Sequence, residues 1–405
     1  MSIDVLPILS TLRRHRLTAT LLVLQIALTC AIVCNATFLI GDRLSRMLMP
    51  SGIPEEQLMR ITVSDIGARG DVHARTVTDL AALRRVAGVD AVTVGNSLPF
   101  GSSSWTSGLR LDKAQKSPSI DVGLFYGEGL SDVLGLRLVA GRRFTPDEYV
   151  WVDDHVTRRA AGANVAMVTS ALAKRLFPEG SALGRQVVIG TDTMRIVGII
   201  DRLAAASVSA RDDLNDTVVL PWRMIPAYGG GYFIRARPER AARVLADAVA
   251  ALKAVDPRRV VVEARLYPEI RARYFATDRA MALTLGVVSM ALLVVTALGI
   301  VGLASFWVGQ RRRQIGIRRA LGARRADILR YFQTENFLLA SMGIVLGMVL
   351  AYGVNLILMR QYELPRLPLL YLPVGAVALW ILGQVAVLAP ALRAASVPPV
   401  VATRG

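Results

Sequence analysis

Four long apolar runs constrain this 405-residue chain more than any other feature of its sequence. The runs cover Leu17–Ile40, Ala280–Val308, Phe337–Met359 and Leu369–Leu392, and none of them contains Asp, Glu, Lys or Arg. About 20 consecutive apolar residues in a helix are enough to cross the hydrocarbon core of a bilayer. The sequence therefore predicts an α-helical membrane protein with four transmembrane helices.

Positive charge is concentrated beside these runs. The net charge is +17, yet the segment 41–278 holds 32 basic and 27 acidic residues, so most of the excess lies elsewhere. Arg13, Arg14 and Arg16 precede the first run, and eight arginines lie between the second and third runs. Cytoplasmic loops are enriched in Lys and Arg, so both termini are predicted to be cytoplasmic and residues 41–279 extracytoplasmic. This distribution argues against nucleic acid as a partner.

The first run is expected to be a retained helix, because the apolar part of a cleaved signal peptide has only about 7–15 residues. It holds the only two cysteines, Cys30 and Cys34, which are interpreted as small buried apolar side chains. The spans lack the ionisable groups that mark proton-driven carriers and channels. Their polar side chains are expected to hydrogen-bond between helices: Gln25, Thr29, Asn35, Asn355 and Gln384.

The long segment between the first two runs alternates strand and helix patterns, which predicts a large α+β extracytoplasmic domain inserted between helices one and two. We expect a helix over Tyr267–Asp278 that continues into the second span. Glycine-rich Gly229–Gly231 is read as a loop. The remaining strands and helices are predicted at Leu58–Val63, Asp79–Val86, Val89–Val94, Asn164–Val168, Ser170–Phe177, Gln186–Ile189, Met194–Ile200, Glu239–Val255 and Val260–Ala264.

No catalytic or metal-binding constellation is predicted. His73 and His155 are isolated in the sequence, and the acid pairs Asp153–Asp154 and Asp212–Asp213 lack partner ligands nearby. A phosphate-binding loop needs a lysine after a glycine-rich turn. None of the four lysines follows a glycine: Lys113, Lys116, Lys174 and Lys253. We therefore expect no enzyme activity, no bound cofactor and no ATP hydrolysis by this chain.

The loop between the second and third runs has its own pattern. Apolar residues recur at near-helical spacing among the arginines at Ile317, Leu321, Ile328, Leu329 and Phe332. The pattern predicts a basic amphipathic element along the membrane face, which could bind anionic lipid or a docking partner. In the third run, Gly343, Gly347 and Ala351 form a small-residue face typical of close helix packing.

The loop sequence QIGIRRALGA at 314–323 closely resembles the signature EIGIRRALGA of FtsX-like permeases, departing from it at Gln314. Segments 141–144, 172–178, 184–185 and 197–200 resemble the MacB-type periplasmic core domain. Segment 390–399 resembles the C-terminal run of the same family. These blocks follow the family's order and extend over nearly the whole chain.

The resemblance implies the permease subunit of a MacB/FtsX-type ABC transporter in the cell (inner) membrane. Such a permease pairs with a second copy or a paralogue, and with a separate ATPase that holds ATP and Mg²⁺. Its extracytoplasmic domain moves during export, and a periplasmic adaptor and membrane lipid are further expected partners. The implied ATPase-coupling residues are Gln314, Ile315, Gly316, Ile317, Arg318, Arg319, Leu321, Gly322, Ala323, Arg324, Arg325, Ile328 and Leu329.

Two other interpretations stay open at this point. The same machinery in an FtsX-like regulatory permease activates an extracytoplasmic partner such as a cell-wall hydrolase. A membrane-anchored binding protein without an ATPase is the third. The expected domains are 1–40 (tail and helix one), 41–279 (periplasmic core domain), 280–308 (helix two), 309–336 (coupling loop), 337–392 (helices three and four) and 393–405 (cytoplasmic tail).

Overall fold

A computed structural model describes residues 16–65, 70–101, 105–157, 164–207, 215–362 and 367–396. Arg13, Arg14 and the acid pair Asp212–Asp213 lie outside the described residues. The chain divides into two compact units. One unit is Met49–Ala276, and the other combines Met1–Leu48 with Thr277–Gly405. We call them the ectodomain and the membrane unit.

In the described part of the membrane unit, four helices are long and apolar enough to span a membrane. They are α1 (Arg16–Met47), α8 (Ala276–Gln310), α10 (Arg325–Tyr362) and α11 (Tyr371–Ala395). A fifth, short helix, α9 (Arg312–Ala320), lies between α8 and α10. The first three spans extend beyond their apolar runs at both ends, because backbone hydrogen bonding continues into the charged flanks where hydropathy stops indicating a helix. The fourth begins two residues after its run starts, at Tyr371, and extends beyond the run only at its C-terminal end.

The expectation of one continuous helix from Tyr267 into the second span is wrong. Helix α7 (Tyr267–Tyr274) ends before Phe275, and α8 begins at Ala276. Phe275 is buried, with its ring centroid 5.1 Å from that of Phe100. The Phe275 side chain at the break therefore packs in the ectodomain, and aromatic pairs of this kind contribute about 0.5–1.5 kcal/mol beyond the area they bury.

Two sheets build the ectodomain. The first has the order β13-β1-β12-β2, and all of its neighbours are antiparallel. Its strands are Leu58–Asp65 (β1), Val89–Gly95 (β2), Gly231–Ala236 (β12) and Arg259–Leu266 (β13). Helices α2 (Val72–Arg84) and α6 (Ala241–Val255) pack with it. Thr62 pairs with Glu263 but Val63 pairs with Val261, so Val262 is the extra residue of a β-bulge on the edge strand.

The second sheet is mixed, with the order β5-β9-β7-β10-β4-β3-β8. An additional pairing of β8 with β9 closes six of its strands into a ring. The strands are Thr106–Arg110 (β3), Ile120–Tyr126 (β4), Leu138–Gly141 (β5), Val165–Thr169 (β7), Gln186–Ile189 (β8), Asp192–Ile200 (β9) and Thr217–Leu220 (β10). Short helices α3 (Leu130–Val133) and α5 (Ser170–Leu176) flank it.

A two-stranded parallel ladder adds β6 (Val150–Trp151) and β11 (Trp222–Arg223), and β6 leads directly into α4 (Val152–Val156). The α+β class is confirmed by this mixture of sheets and helices. The predicted hairpin at residues 186–200 is also confirmed. Gly231, read as part of a loop, instead begins β12 and pairs with Gly95.

Candidate coupling element and its anchoring in the helix bundle

Helix α9 and the turn after it carry most of the residues that the loop sequence singled out. Gln314, Ile315, Gly316, Ile317, Arg318 and Arg319 lie on α9, and Leu321, Gly322, Ala323 and Arg324 form the turn before α10. Gly322 has a φ of +97°, a left-handed conformation that glycine adopts without strain. The Asp327 carboxylate accepts a 2.9 Å hydrogen bond from the Arg324 amide and caps the start of α10.

The apolar residues of this segment divide into two groups. Ile315, Ile328 and Phe332 are buried in a cluster with Ala391 and Ala394 of α11. Leu329 packs against the same cluster. The buried group therefore fixes the positions of α9 and of the first turns of α10 against α11.

Ile317 and Leu321 make up the other group, and they are 47 % and 83 % exposed. The single apolar face expected from the spacing is thus not formed. Gly322 breaks the helix between the two halves, so a spacing that is helical in sequence ends on two different helices. Exposed Gln314, Arg318, Arg324 and Arg325 surround the two apolar side chains in sequence. Together these six residues form what we call the coupling patch.

A buried ion pair holds the base of α9. The Arg311 guanidinium donates two hydrogen bonds to the Glu335 carboxylate, at 2.9 and 3.2 Å. The Glu335 side chain is only 2 % exposed. Arg311 also stacks over the Trp307 ring at 5.7 Å. Because Arg311 follows the last residue of α8 and Glu335 lies on α10, this bidentate contact fixes α9 between two spans.

Sequence reasoning missed the Arg311–Glu335 pair. Glu335 stands two residues before the third apolar run and was counted with the loop. One signal was present: an acidic residue beside a membrane span in a loop that otherwise carries eight arginines.

Replacing Arg311 with lysine is expected to destabilise the membrane unit by about 1–2 kcal/mol, because a lysine keeps the charge but loses the two-pronged geometry. Thermal unfolding in detergent, followed by tryptophan fluorescence, measures the change. Exposed Arg312 is the matched control, and Arg312→Lys should leave the midpoint unchanged. Equal midpoints for the two variants contradict the anchoring role.

The small residues of α10 lie against α1. A Cβ added to Gly343 would lie 2.8 Å from the Ile26 Cβ, and one added to Gly347 would lie 2.5 Å from the Cys30 Cβ. Ala351 is fully buried, and its carbonyl accepts a 3.1 Å hydrogen bond from the Asn35 amide. The close approach of the two helices therefore depends on these three positions.

Polar side chains within the spans mostly connect helices, as expected. Thr29 and Thr296 hydroxyls are 2.8 Å apart, and the Gln25 amide donates to the Val295 carbonyl at 3.2 Å. Gln384 donates to the Gln333 carbonyl at 3.4 Å. Asn355 differs, since its side-chain oxygen accepts from the Leu367 amide after the helix. Cys30 and Cys34 are buried, as predicted.

Two family models match this chain. The model described as FtsX-like permease C-terminal matches residues 286–399, and the MacB-like periplasmic core domain matches residues 20–252, more than half of the sequence. The chain belongs to the MacB/FtsX family of ABC transporter permeases. The RxxQIGIRRALGA segment at 311–323 lies inside the first match, and the blocks between 141 and 200 lie inside the second.

Two similar proteins are named as export proteins. The pyoverdine export ATP-binding/permease protein PvdT of Pseudomonas entomophila is 32% identical over 60% of this chain and 38% of its own length. The macrolide export ATP-binding/permease protein MacB of Chromobacterium violaceum is 27% identical over 85% of this chain and 51% of its own length. The chain thus spans about half or less of these relatives. A crystal structure of the periplasmic region of MacB from Actinobacillus actinomycetemcomitans aligns with 56% of this chain and 97% of its own, at 16% identity and a TM-score of 0.33.

Proposed function

We propose that this chain is the permease subunit of an export system, in which an ATPase binds the coupling patch and drives movement of the ectodomain. The observation that carries the proposal is the exposure of Ile317 and Leu321 at the end of a firmly anchored helix. Two apolar side chains among arginines, held on a rigid support, suit a protein-protein contact with an apolar centre and a polar rim. The family membership supplies the class of partner.

The charge distribution supports the orientation that this proposal needs. Arg318, Arg324 and Arg325 are exposed near the membrane spans, so the positive-inside rule assigns the patch to the cytoplasm. Both termini would then be cytoplasmic, and the ectodomain extracytoplasmic. An ATPase that binds and hydrolyses ATP in the cytoplasm would meet the patch directly.

Force applied to the patch has a defined route through the membrane unit. Displacement of α9 would act on α8 and α10 through Arg311 and Glu335, and on α11 through Ile315 and Ile328. Because α10 is locked to α1 by Gly343, Gly347 and Ala351, the bundle would move as connected helices. The apolar runs of the four spans contain no Asp, Glu, Lys or Arg, so they offer no charged path for a substrate. This favours a form of export in which the substrate does not pass through the membrane core. We further propose that two permease copies assemble on an ATPase dimer.

Co-purification with the candidate ATPase tests the proposal. We expect Ile317→Asp and Leu321→Asp each to weaken ATPase binding at least about tenfold, because each places an unpaired charge in an apolar contact. ATPase turnover in the same preparation should fall to the level of the ATPase alone. Leu370→Asp is the matched control, since Leu370 is 76 % exposed but precedes α11, on the opposite side of the predicted topology. If all three variants bind alike, the patch is not the ATPase contact.

A further inference from the structure

The fold brings together histidine and acidic side chains that are far apart in the sequence. His73 lies in the first turn of α2, while Asp153 and Asp154 lie in the first turn of α4. The His73 Nε2 atom is 2.9 Å from Asp153 Oδ1 and 3.0 Å from Asp153 Oδ2. From their sequence positions, His73 was expected to be isolated and the acid pair Asp153–Asp154 to lack partner ligands; both expectations are wrong.

Asp154 adds a third donor of the kind that binds metal ions. One ligand atom each from His73, Asp153 and Asp154 lie within 4.8 Å of one another, and all three residues are partly buried. Among the described residues, the Asp154 carboxylate has no hydrogen bond or ion pair. The cluster therefore brings together two carboxylates and one imidazole.

The surroundings of the cluster fix the imidazole without neutralising the acids. The His73 ring stacks on Trp151 with centroids 4.2 Å apart and an interplanar angle of 4°. Arg223 lies over the same Trp151 ring at 5.8 Å, but its guanidinium is already bonded to Glu128 at 2.9 and 3.1 Å. The Arg223 guanidinium is thus committed to another acid.

We propose that His73, Asp153 and Asp154 form a binding site for a divalent transition-metal ion. One imidazole nitrogen and two carboxylates suit Zn²⁺ better than Mg²⁺ or Ca²⁺, which favour oxygen ligands alone. Zn–N and Zn–O bonds of about 2.0–2.2 Å separate ligand atoms by roughly 3–3.5 Å. The His73–Asp153 distances are close to this range, and the three ligand atoms lie within 4.8 Å of one another, so a small side-chain adjustment would complete the set. With three protein ligands, a four-coordinate Zn²⁺ keeps one position for water or for a group on a partner.

Such an ion would join two parts of the ectodomain. Helix α2 packs with the four-stranded sheet, and α4 follows the β6 strand that pairs with β11. The ion would replace a two-residue ion pair with a three-point link between these elements. This inference does not depend on the proposed function, because metal binding is measured without ATPase or substrate.

The chain contains a close comparison for this site. His155 Nε2 is 3.1 Å from Asp192 Oδ2, and its ring lies 4.2 Å from the Trp222 ring. It thus reproduces the His–Asp–Trp arrangement of His73. In the described residues, however, no third acidic ligand is grouped with it. A plain ion pair and a metal site therefore make different predictions for the two histidines.

The test uses the full-length protein in detergent, purified through a tag without histidine and stripped with a chelator. Metal content after equilibration with Zn²⁺ and dialysis is read by mass spectrometry, and affinity by competition with a fluorescent zinc chelator. We expect one Zn²⁺ per chain. Asp154→Asn and His73→Ala should each weaken binding at least about tenfold, since even losing an outer-sphere contact costs about 10–100-fold. His155→Ala should bind as the wild type does.

Asp154→Asn is the decisive variant, because it keeps the side-chain shape and leaves the His73–Asp153 pair in place. Circular dichroism of each variant checks that the fold persists. The proposal is overturned if the wild type takes up no stoichiometric Zn²⁺, or if Asp154→Asn binds as tightly as the wild type. Equal loss in His155→Ala would assign the uptake to surface histidines in general, and also overturns it.

Discussion

Asp79→Ala is expected to destabilise the ectodomain by about 3–5 kcal/mol, the usual cost of leaving one member of a buried ion pair without its partner. Asp79 lies on α2, and its carboxylate accepts a 2.8 Å hydrogen bond from Arg259 on β13. The two side chains are 3 % and 2 % exposed. Tyr232, fully buried on β12, donates its hydroxyl to the same carboxylate.

The effect should be large because one carboxylate satisfies groups from two strands. Without it, the Arg259 charge and the Tyr232 hydroxyl remain in an interior that excludes water. The Arg259 guanidinium also lies 3.4 Å from the Leu252 carbonyl of α6, a long contact that does not replace a carboxylate. The variant therefore removes a connection that α2, β12 and β13 share, which is more than the loss of one hydrogen bond.

Unfolding of the full-length protein by urea, followed by the fluorescence of ectodomain tryptophans, measures the change. Arg243→Ala is the control, because Arg243 is 87 % exposed and only 3.8 Å from Asp247 on the surface of α6. Exposed pairs of this kind contribute about 0–1 kcal/mol. If the Asp79 and Arg243 variants unfold at the same urea concentration, the buried pair does not stabilise the domain.

Gly347→Leu is expected to prevent normal assembly of the membrane unit, at a cost of at least about 3 kcal/mol. An added Cβ would lie 2.5 Å from the Cys30 Cβ and 2.7 Å from the Ala27 carbonyl oxygen. A carbonyl within a helix cannot move aside without breaking the helix, so α1 and α10 must separate. Their separation would also stretch the hydrogen bond between Asn35 and Ala351.

Gly353→Leu is the matched control on the same helix. No atom lies within 4 Å of a Cβ added to Gly353, so leucine there meets open space. The yield of monodisperse protein after size-exclusion chromatography and the thermal midpoint in detergent are the two measurements. We expect the Gly347 variant to lose most of its yield, while the Gly353 variant behaves as the wild type. Similar yields for both variants contradict close packing at Gly347.

The spans could be predicted because lipid imposes a simple length and composition rule. The ends of the helices could not be predicted in this way. Helix α10 already begins at Arg325, and its charged first turns, up to Phe337, have low hydropathy. Gly231 shows the opposite difficulty. Glycines usually mark loops, but this one pairs with Gly95 in the sheet. A Cβ added to Gly231 would lie 3.3 Å from the Phe233 ring, and one added to Gly95 would lie 2.4 Å from the same ring, so a larger side chain is excluded at Gly95.

The candidate sites differ in how far the sequence reveals them. The residues of the coupling motif are contiguous, so the sequence identifies them. Only the structure shows that Ile315 is buried whereas Ile317 is exposed. The Arg311–Glu335 pair needs the helices on both sides of α9 to meet. His73 and Asp153 are 80 positions apart and lie on elements that only the ectodomain fold brings together. Contacts of this range depend on topology, which local periodicity does not contain.

The β-bulge at Val262 has a consequence for how this protein behaves when it is crowded. Strand β13 is an outer strand of its sheet, eight residues long, and exposes Val260 and Val262. A straight strand of this kind is a template on which a second chain can add a strand, the first step of fibrous aggregation. The extra residue breaks the regular repeat of backbone donors and acceptors and twists the strand locally. The bulge therefore disfavours strand-to-strand joining between copies of the ectodomain.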